Sequence, residues 1–268
     1  MKKFLCLCAC LLLVGCQTKP SNGATNDKES REVVKNVSYA VKEASLELRK
    51  KPDQGVLNQV TWTNSDKKEV TPSKKDILFY VTYNNESTTV AKVPDVSIPT
   101  YYVFQQVPDE EGQEKGWRVK GVMDAVVDKS DSFKEESSQL KLPMQDYVAG
   151  NFKDEKNKQK VMWVFAGEKQ VVLIQKYPYS VQVKPDNQVK NSPLPKLPVG
   201  NFDPADPNKP EDLKDRDFKY FQGAYKQSIL YYKDNGNLVW ISGNISESEI
   251  KKLAESLPTA KSPNFPLK

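Results

Sequence analysis

Two runs of β-branched and aromatic residues, Ser228 to Lys233 and Asn237 to Ser242, flank the tripeptide Asp234-Asn235-Gly236. Asn-Gly accepts the positive φ angles of a two-residue hairpin turn, so the runs are expected to fold back on each other. A helix start follows at once. Ser246 is placed as its cap, Glu249 as the residue that returns a bond to the cap, and Ile245 as a staple onto Ile250. Ile250, Leu253, Ala254 and Leu257 form one apolar stripe, and Pro258 stops the helix. A hairpin followed directly by a helix whose stripe needs a sheet to lie on commits this end of the chain to an α+β arrangement.

Upstream, β-branched and aromatic runs predict strands at Val60 to Thr63, Ile77 to Tyr83, Tyr101 to Val107 and Trp117 to Val127. Asn84-Asn85, Pro94-Asp95 and an acidic stretch from Asp109 to Lys115 read as the turns and loops between them. Val161 to Ala166 and Gln170 to Ile174 read as a second hairpin around Gly167-Glu168-Lys169. In residues 33–49 the alternation of Val37, Tyr39 and Val41 competes with the helical spacing of Ala40, Ala44 and Leu48, and a helix after Ser38 is expected. Asp128 to Gln139 is charged and Ser-rich, and the prolines from Pro185 to Pro210 exclude regular structure there. The expected fold is therefore α+β: a largely antiparallel, curved β-sheet with a packed C-terminal helix. Its expected parts are a mainly β region over 33–145, an α+β domain over 150–258 and a tail over 259–268.

The N-terminus carries a different signal. Lys2 and Lys3 precede an apolar run from Phe4 to Val14, too short for a membrane-spanning helix, which needs roughly 20 apolar residues. It fits the core of a secretory signal peptide. The run ends in Leu13-Val14-Gly15-Cys16, which resembles the lipobox of bacterial lipoproteins. That resemblance implies cleavage before Cys16 and transfer of diacylglycerol, with palmitate-type acyl chains, to its thiolate. Residues 1–16 are then a signal peptide, and the polar, small-residue stretch 17–32 a flexible tether on the extracytoplasmic face of the cell membrane.

Cleavage leaves 252 of 268 residues and removes two lysines, so the net charge falls from +5 to +3, well short of a nucleic-acid footprint. All four Cys lie at or before Cys16, so the body rests on its core with no disulfide, as on a Gram-positive surface. The chain has no His. Ser-His-Asp and Cys-His catalysis and His-based metal sites are thereby excluded, and no cofactor or metal is expected. Ser-x-x-Lys pairs occur at Ser65 and Lys68, Ser138 and Lys141, and Ser248 and Lys251, without the companion motifs of a catalytic pair. The acids Asp203, Asp206, Glu211, Asp212, Asp215 and Asp217 are interleaved with Pro, Asn and Lys and read as a solvated loop. The strand aromatics read as core, with an open apolar groove as the alternative.

Residues 238–257 resemble the closing motif of an uncharacterised domain common in Gram-positive envelope lipoproteins. Val172 to Gln175 with Tyr177-Pro178, and Gln222-Gly223 with Tyr225, are similar to its earlier strands. The resemblance extends to the sigma-E regulator RseB and the lipoprotein carrier LolA, and implies a curved antiparallel sheet carrying helices. No catalytic residue comes with it. The function expected is that of a non-enzymatic, membrane-anchored surface lipoprotein. It would bind a protein partner or envelope component in envelope sensing, assembly or regulation. A lipid or lipopeptide carrier with a LolA-like concave sheet, a solute-binding lipoprotein of a transporter, and a hydrolase are the alternatives.

Overall fold

Period-two alternation prevails over helical spacing at the start of the body. Ser38–Val41 is a strand, β1, paired antiparallel with a strand at Val60–Thr63, with Tyr39 opposite Trp62 and Val41 opposite Val60. This corrects the helix expected after Ser38. The strand brings the Tyr39 ring to 5.4 Å from that of Tyr102, edge to face, and helical turns would carry it away. Only Leu46–Arg49 is helical in that stretch, as one turn of 3-10 helix. An unexpected helix follows, α1 (Pro52–Gln59), with Pro52 in the first turn, where its missing N–H costs nothing. Gly55 lets α1 lie directly on the sheet beneath: a Cβ there would stand 3.0 Å from the Trp117 carbonyl oxygen.

The computed structural model describes residues 38–63, 69–83, 86–111, 114–127, 139–145, 147–153, 161–178 and 214–267. They belong to one compact unit, Val34–Lys268; the other unit, Met1–Val33, lies outside them, as does the Pro185 to Pro210 segment. After α1, the strand β2 (Val60–Thr63) pairs with β3 (Glu69–Val70), giving a small sheet in the order β1-β2-β3. Four strands then pair in chain order: β4 (Ile77–Tyr83), β5 (Glu86–Lys92), β6 (Thr100–Glu111) and β7 (Glu114–Val126). Of the acidic loop expected over Asp109 to Lys115, Asp109 to Glu111 and Glu114 to Lys115 are in fact strand, since β6 and β7 stay paired as far as Glu111 opposite Glu114.

The third sheet holds β8 (Tyr147–Lys153), β9 (Val161–Gly167), β10 (Val171–Pro178), β11 (Lys219–Gln222), β12 (Ser228–Asp234) and β13 (Asn237–Gly243). Its order is β11-β12-β13-β10-β9-β8, with every strand pair antiparallel. The expected hairpin turn is present, with Asn235 at φ 49° and Gly236 at 75°. Helix α2 (Glu247–Ser256) carries the expected capping box: Ser246 N–H donates to Glu249 Oε2 at 2.7 Å and Glu249 N–H to Ser246 Oγ at 3.3 Å. The fold is thus α+β and mainly antiparallel, closed by a packed C-terminal helix.

Alternation sorts the side chains into layers. On β10, Val172 and Ile174 face α2, whose Ile250, Leu253, Ala254 and Leu257 are buried against them with Ala260, Phe265 and Leu267. Val171 and Leu173 point the other way, with Trp240 and Tyr231, onto Phe79, Val90, Tyr101 and Val103 of the four-stranded sheet. That sheet's reverse face, Ile77, Ala91, Tyr102 and Phe104, is covered by Val56 of α1 and by Val60 and Trp62 of β2. Two sheets packed face to face are therefore themselves covered on both outer sides.

Candidate functional site

The residues Leu13, Val14, Gly15 and Cys16 lie outside the described residues, as do Ser65, Lys68, Ser138, Asp203, Asp206, Glu211 and Asp212. Ser248 and Lys251 sit on the outer side of α2. There Lys251 pairs with Glu247 one turn back, and the Ser248 hydroxyl lies 3.2 Å from that of Ser246. Asp217 pairs with Lys219 at 2.8 Å, and Asp215 makes an isolated backbone bridge to Lys233. None of these contacts brings a nucleophile to a base. Among the described residues no three His, Cys, Asp or Glu side chains gather as a metal site, and no helix is long and apolar enough to cross a membrane.

The strand aromatics are core. Tyr101, Phe104, Phe165, Tyr232 and Trp240 are almost wholly enclosed, and both faces of the six-stranded sheet are occupied. Burial, then the nearby Asp124 and Tyr39, pushes the Tyr102 hydroxyl up to about 12, so it stays neutral. Between the two large sheets lies a seam where Gln175 Nε2 donates to Tyr177 OH at 2.9 Å and to Thr88 Oγ1 at 3.3 Å. The adjoining cavity is about 50 Å³, room for little more than water.

A larger cavity, about 280 Å³, opens where β1 ends. Val41, Ala44 and Val119 are its apolar wall, and Lys42, Glu43, Gln59, Arg49, Asp109 and Arg118 its polar one. Chain order explains the assembly. The segment Lys42 to Arg49 leaves β1, held by Lys42 N–H on the Gln59 carbonyl at 2.7 Å, and crosses the β6–β7 hairpin. Gly116 on β7 makes that crossing close: a Cβ there would lie 3.0 Å from Leu46 and 3.1 Å from Arg49 Cγ. Gln59 fastens the floor, donating to the Trp117 carbonyl at 2.8 Å and accepting from Val119 N–H at 3.2 Å.

Arg49 is locked into this wall. Its Nε donates to the Ala44 carbonyl and its Nη2 to Asp109 Oδ2, both at 2.9 Å, with the side chain 10% exposed. Its Nη1 is enclosed and has no hydrogen-bond partner among the described residues, so acceptors compensate the buried charge only in part. Arg118 approaches the same carboxylate, Nε to Oδ2 at 3.7 Å, while its side chain stays 58% exposed. Two guanidiniums thus share one carboxylate. The lining holds three cations against two carboxylates, which draws in anions and offers no nucleophile.

Sequence reasoning passed over these residues, because Arg49 and Asp109 lie in segments assigned to helix and loop. One signal was present. The chain has 36 Lys and only four Arg (Arg31, Arg49, Arg118 and Arg216), and Arg supplies a planar fork that Lys cannot. Arg49 and Arg216 hydrogen-bond carboxylates, Arg216 reaching Asp234 Oδ2 at 3.0 Å, while Arg118 only approaches one.

Residues 211–257 match a family described as a domain of unknown function, DUF4367. The matched stretch takes in the β11–β12–β13–α2 unit and stops at Leu257. No curated protein matches the chain, and neither does any solved structure.

Proposed function

We propose that the chain is a non-enzymatic lipoprotein, held on the outer face of the cell membrane by a diacylglyceryl group on Cys16, whose body binds a protein partner in envelope sensing, assembly or regulation. The observation that carries this reading is Leu13-Val14-Gly15-Cys16 directly after an apolar run with two lysines before it. Residues 17–32 then act as a tether with an end-to-end reach of roughly 22 Å if flexible. The absence of His, and of Cys beyond Cys16, supports a body that binds rather than catalyses.

The packing weighs between the alternatives. A carrier needs an open apolar sheet face, and α2 with the segment to Leu267 covers the face that would serve. A transporter's solute-binding protein is built on parallel strands alternating with helices, while every strand pair among the described residues is antiparallel. The test is metabolic labelling of cells with an alkyne palmitate analogue. The wild-type chain takes up label and sediments with membranes, and Cys16→Ala does neither. Label retained by Cys16→Ala, or absent from the wild type, sinks the anchoring reading. Cross-linking in intact cells then captures the partner.

A further inference from the structure

We propose that the cavity at the end of β1 is the docking site for an extended, carboxylate-bearing peptide segment of the partner protein; this rests on the reading above that the body binds a protein. Three observations converge on it. The first is charge: Arg49 and Arg118 share Asp109, and Lys42 adds a third cation, tied only to Glu69 by a 3.4 Å contact between two well-exposed groups. Such exposed pairs exchange easily for an incoming ligand. At 3.7 Å the Arg118 Nε is beyond hydrogen-bond distance of Asp109, so its fork is not committed to that carboxylate. A guanidinium fork accepts an incoming carboxylate through two parallel bonds.

The second is apolar surface. Tyr39, Val41 and Leu48 are the exposed large hydrophobic residues among those described, at 44%, 43% and 53%; Val41 lines the cavity, and the other two lie within seven residues of it along the chain. The third is the strand itself. β1 is one of the two edge strands of its sheet and all four of its residues are exposed, so its outer edge offers backbone groups for an added strand. A peptide lying along β1 would rest an apolar side chain on Tyr39 and Val41 and pass an acidic one into the cavity. The volume, about 280 Å³, is at the bottom of the range for small-molecule sites, which suits one or two side chains and is too small for a whole lipid.

The probe is a fluorescein-labelled hexapeptide alternating valine and glutamate, added to the full chain in non-ionic detergent and followed by fluorescence anisotropy. The wild type binds it and does not bind the valine–lysine counterpart. Arg118→Glu weakens binding by at least about tenfold, and Arg118→Lys, which keeps the charge but loses the fork, weakens it by about threefold. Lys251→Glu on α2 makes the same charge change away from the cavity and leaves binding as it was. Thermal melting of each variant verifies folding. No binding of the glutamate peptide, equal binding of the lysine peptide, or equal loss in Lys251→Glu overturns the proposal. Loss of binding to phosphatidylglycerol vesicles in Arg118→Glu with peptide binding intact also overturns it, in favour of a membrane contact. A partner captured in cells equally well by Arg118→Glu removes this site and leaves the parent reading standing.

Discussion

Leu253→Ala tests whether α2 is part of the core or a lid over it. Leu253 is fully buried, between Ile250 and Leu257 on the stripe that covers Val172, Ile174, Val239 and Ile241. Truncating a leucine in such a place costs about 3 kcal/mol, the lost burial plus the cavity left behind. Ser246→Ala removes the cap but leaves the stripe whole, and costs about 1 kcal/mol. For a body of this size each kcal/mol moves the melting temperature by roughly 2–4 °C, so the expected drops are about 6–12 °C and 2–4 °C. Both variants are melted by circular dichroism beside a parallel titration with the apolar dye ANS. With α2 integral to the core, Leu253→Ala melts in one transition and binds dye only as it unfolds. The reasoning fails if Leu253→Ala costs no more than Ser246→Ala. It fails also if the variant takes up dye far below an unshifted main transition. Either outcome makes α2 a cover that lifts, and returns the carrier to contention.

Two further outcomes follow from named contacts. The Ser246 hydroxyl, then its backbone N–H, holds the Glu249 carboxyl below its ordinary 4.5. The capping bond therefore contributes fully above about pH 4.5 and is lost as pH falls through the lowered value, so the melting gap between wild type and Glu249→Gln should narrow from pH 5 to pH 3. Asp234 is buried and accepts from Arg216 Nη2 at 3.0 Å and from Ala260 N–H at 2.9 Å. Asp234→Ala strands the buried Ala260 amide, while Arg216 Nη2 keeps the Leu257 and Pro258 carbonyls at 3.1 and 3.0 Å; it should cost about 2 kcal/mol and speed hydrogen exchange at the Ala260 amide, and unchanged exchange there would show that the contact holds nothing.

Sequence legibility followed how local each signal was. The Asn235-Gly236 turn and the Ser246–Glu249 cap are written within four residues of themselves, and both formed as expected. β5 was invisible because Ser87, Thr88 and Thr89 are buried polar residues, and their partners come from elsewhere in the fold. Thr89 Oγ1 donates to Gln106 Oε1 at 2.6 Å, and Gln106 Nε2 in turn donates to the Pro52 carbonyl at 2.8 Å. The 33–49 segment carried two periodicities, and the ring of Tyr102, sixty-three residues beyond Tyr39, favours the strand. The cavity is assembled from residues 41–44, 49, 59, 109 and 118–119, so no single stretch could announce it.

The hydroxyl of Tyr225, in the turn between β11 and β12, donates to Asp53 Oδ2 at 2.7 Å across 172 residues of chain. Asp53 stands in the first turn of α1, which directly follows the edge strand β1 and its 3-10 turn. A pull arriving through the residues before Ser38 therefore meets β1 first, a four-residue edge strand whose bonds to β2 open one pair at a time. The load then reaches Arg49, held by the Ala44 carbonyl and Asp109, and beyond it α1, tied through Asp53 to a loop of the six-stranded sheet. Strand β1 has backbone bonds to β2 alone, whereas the segment after it is fastened to the β6–β7 hairpin and to the six-stranded sheet, so tension from the N-terminal side would load the edge of β2 first.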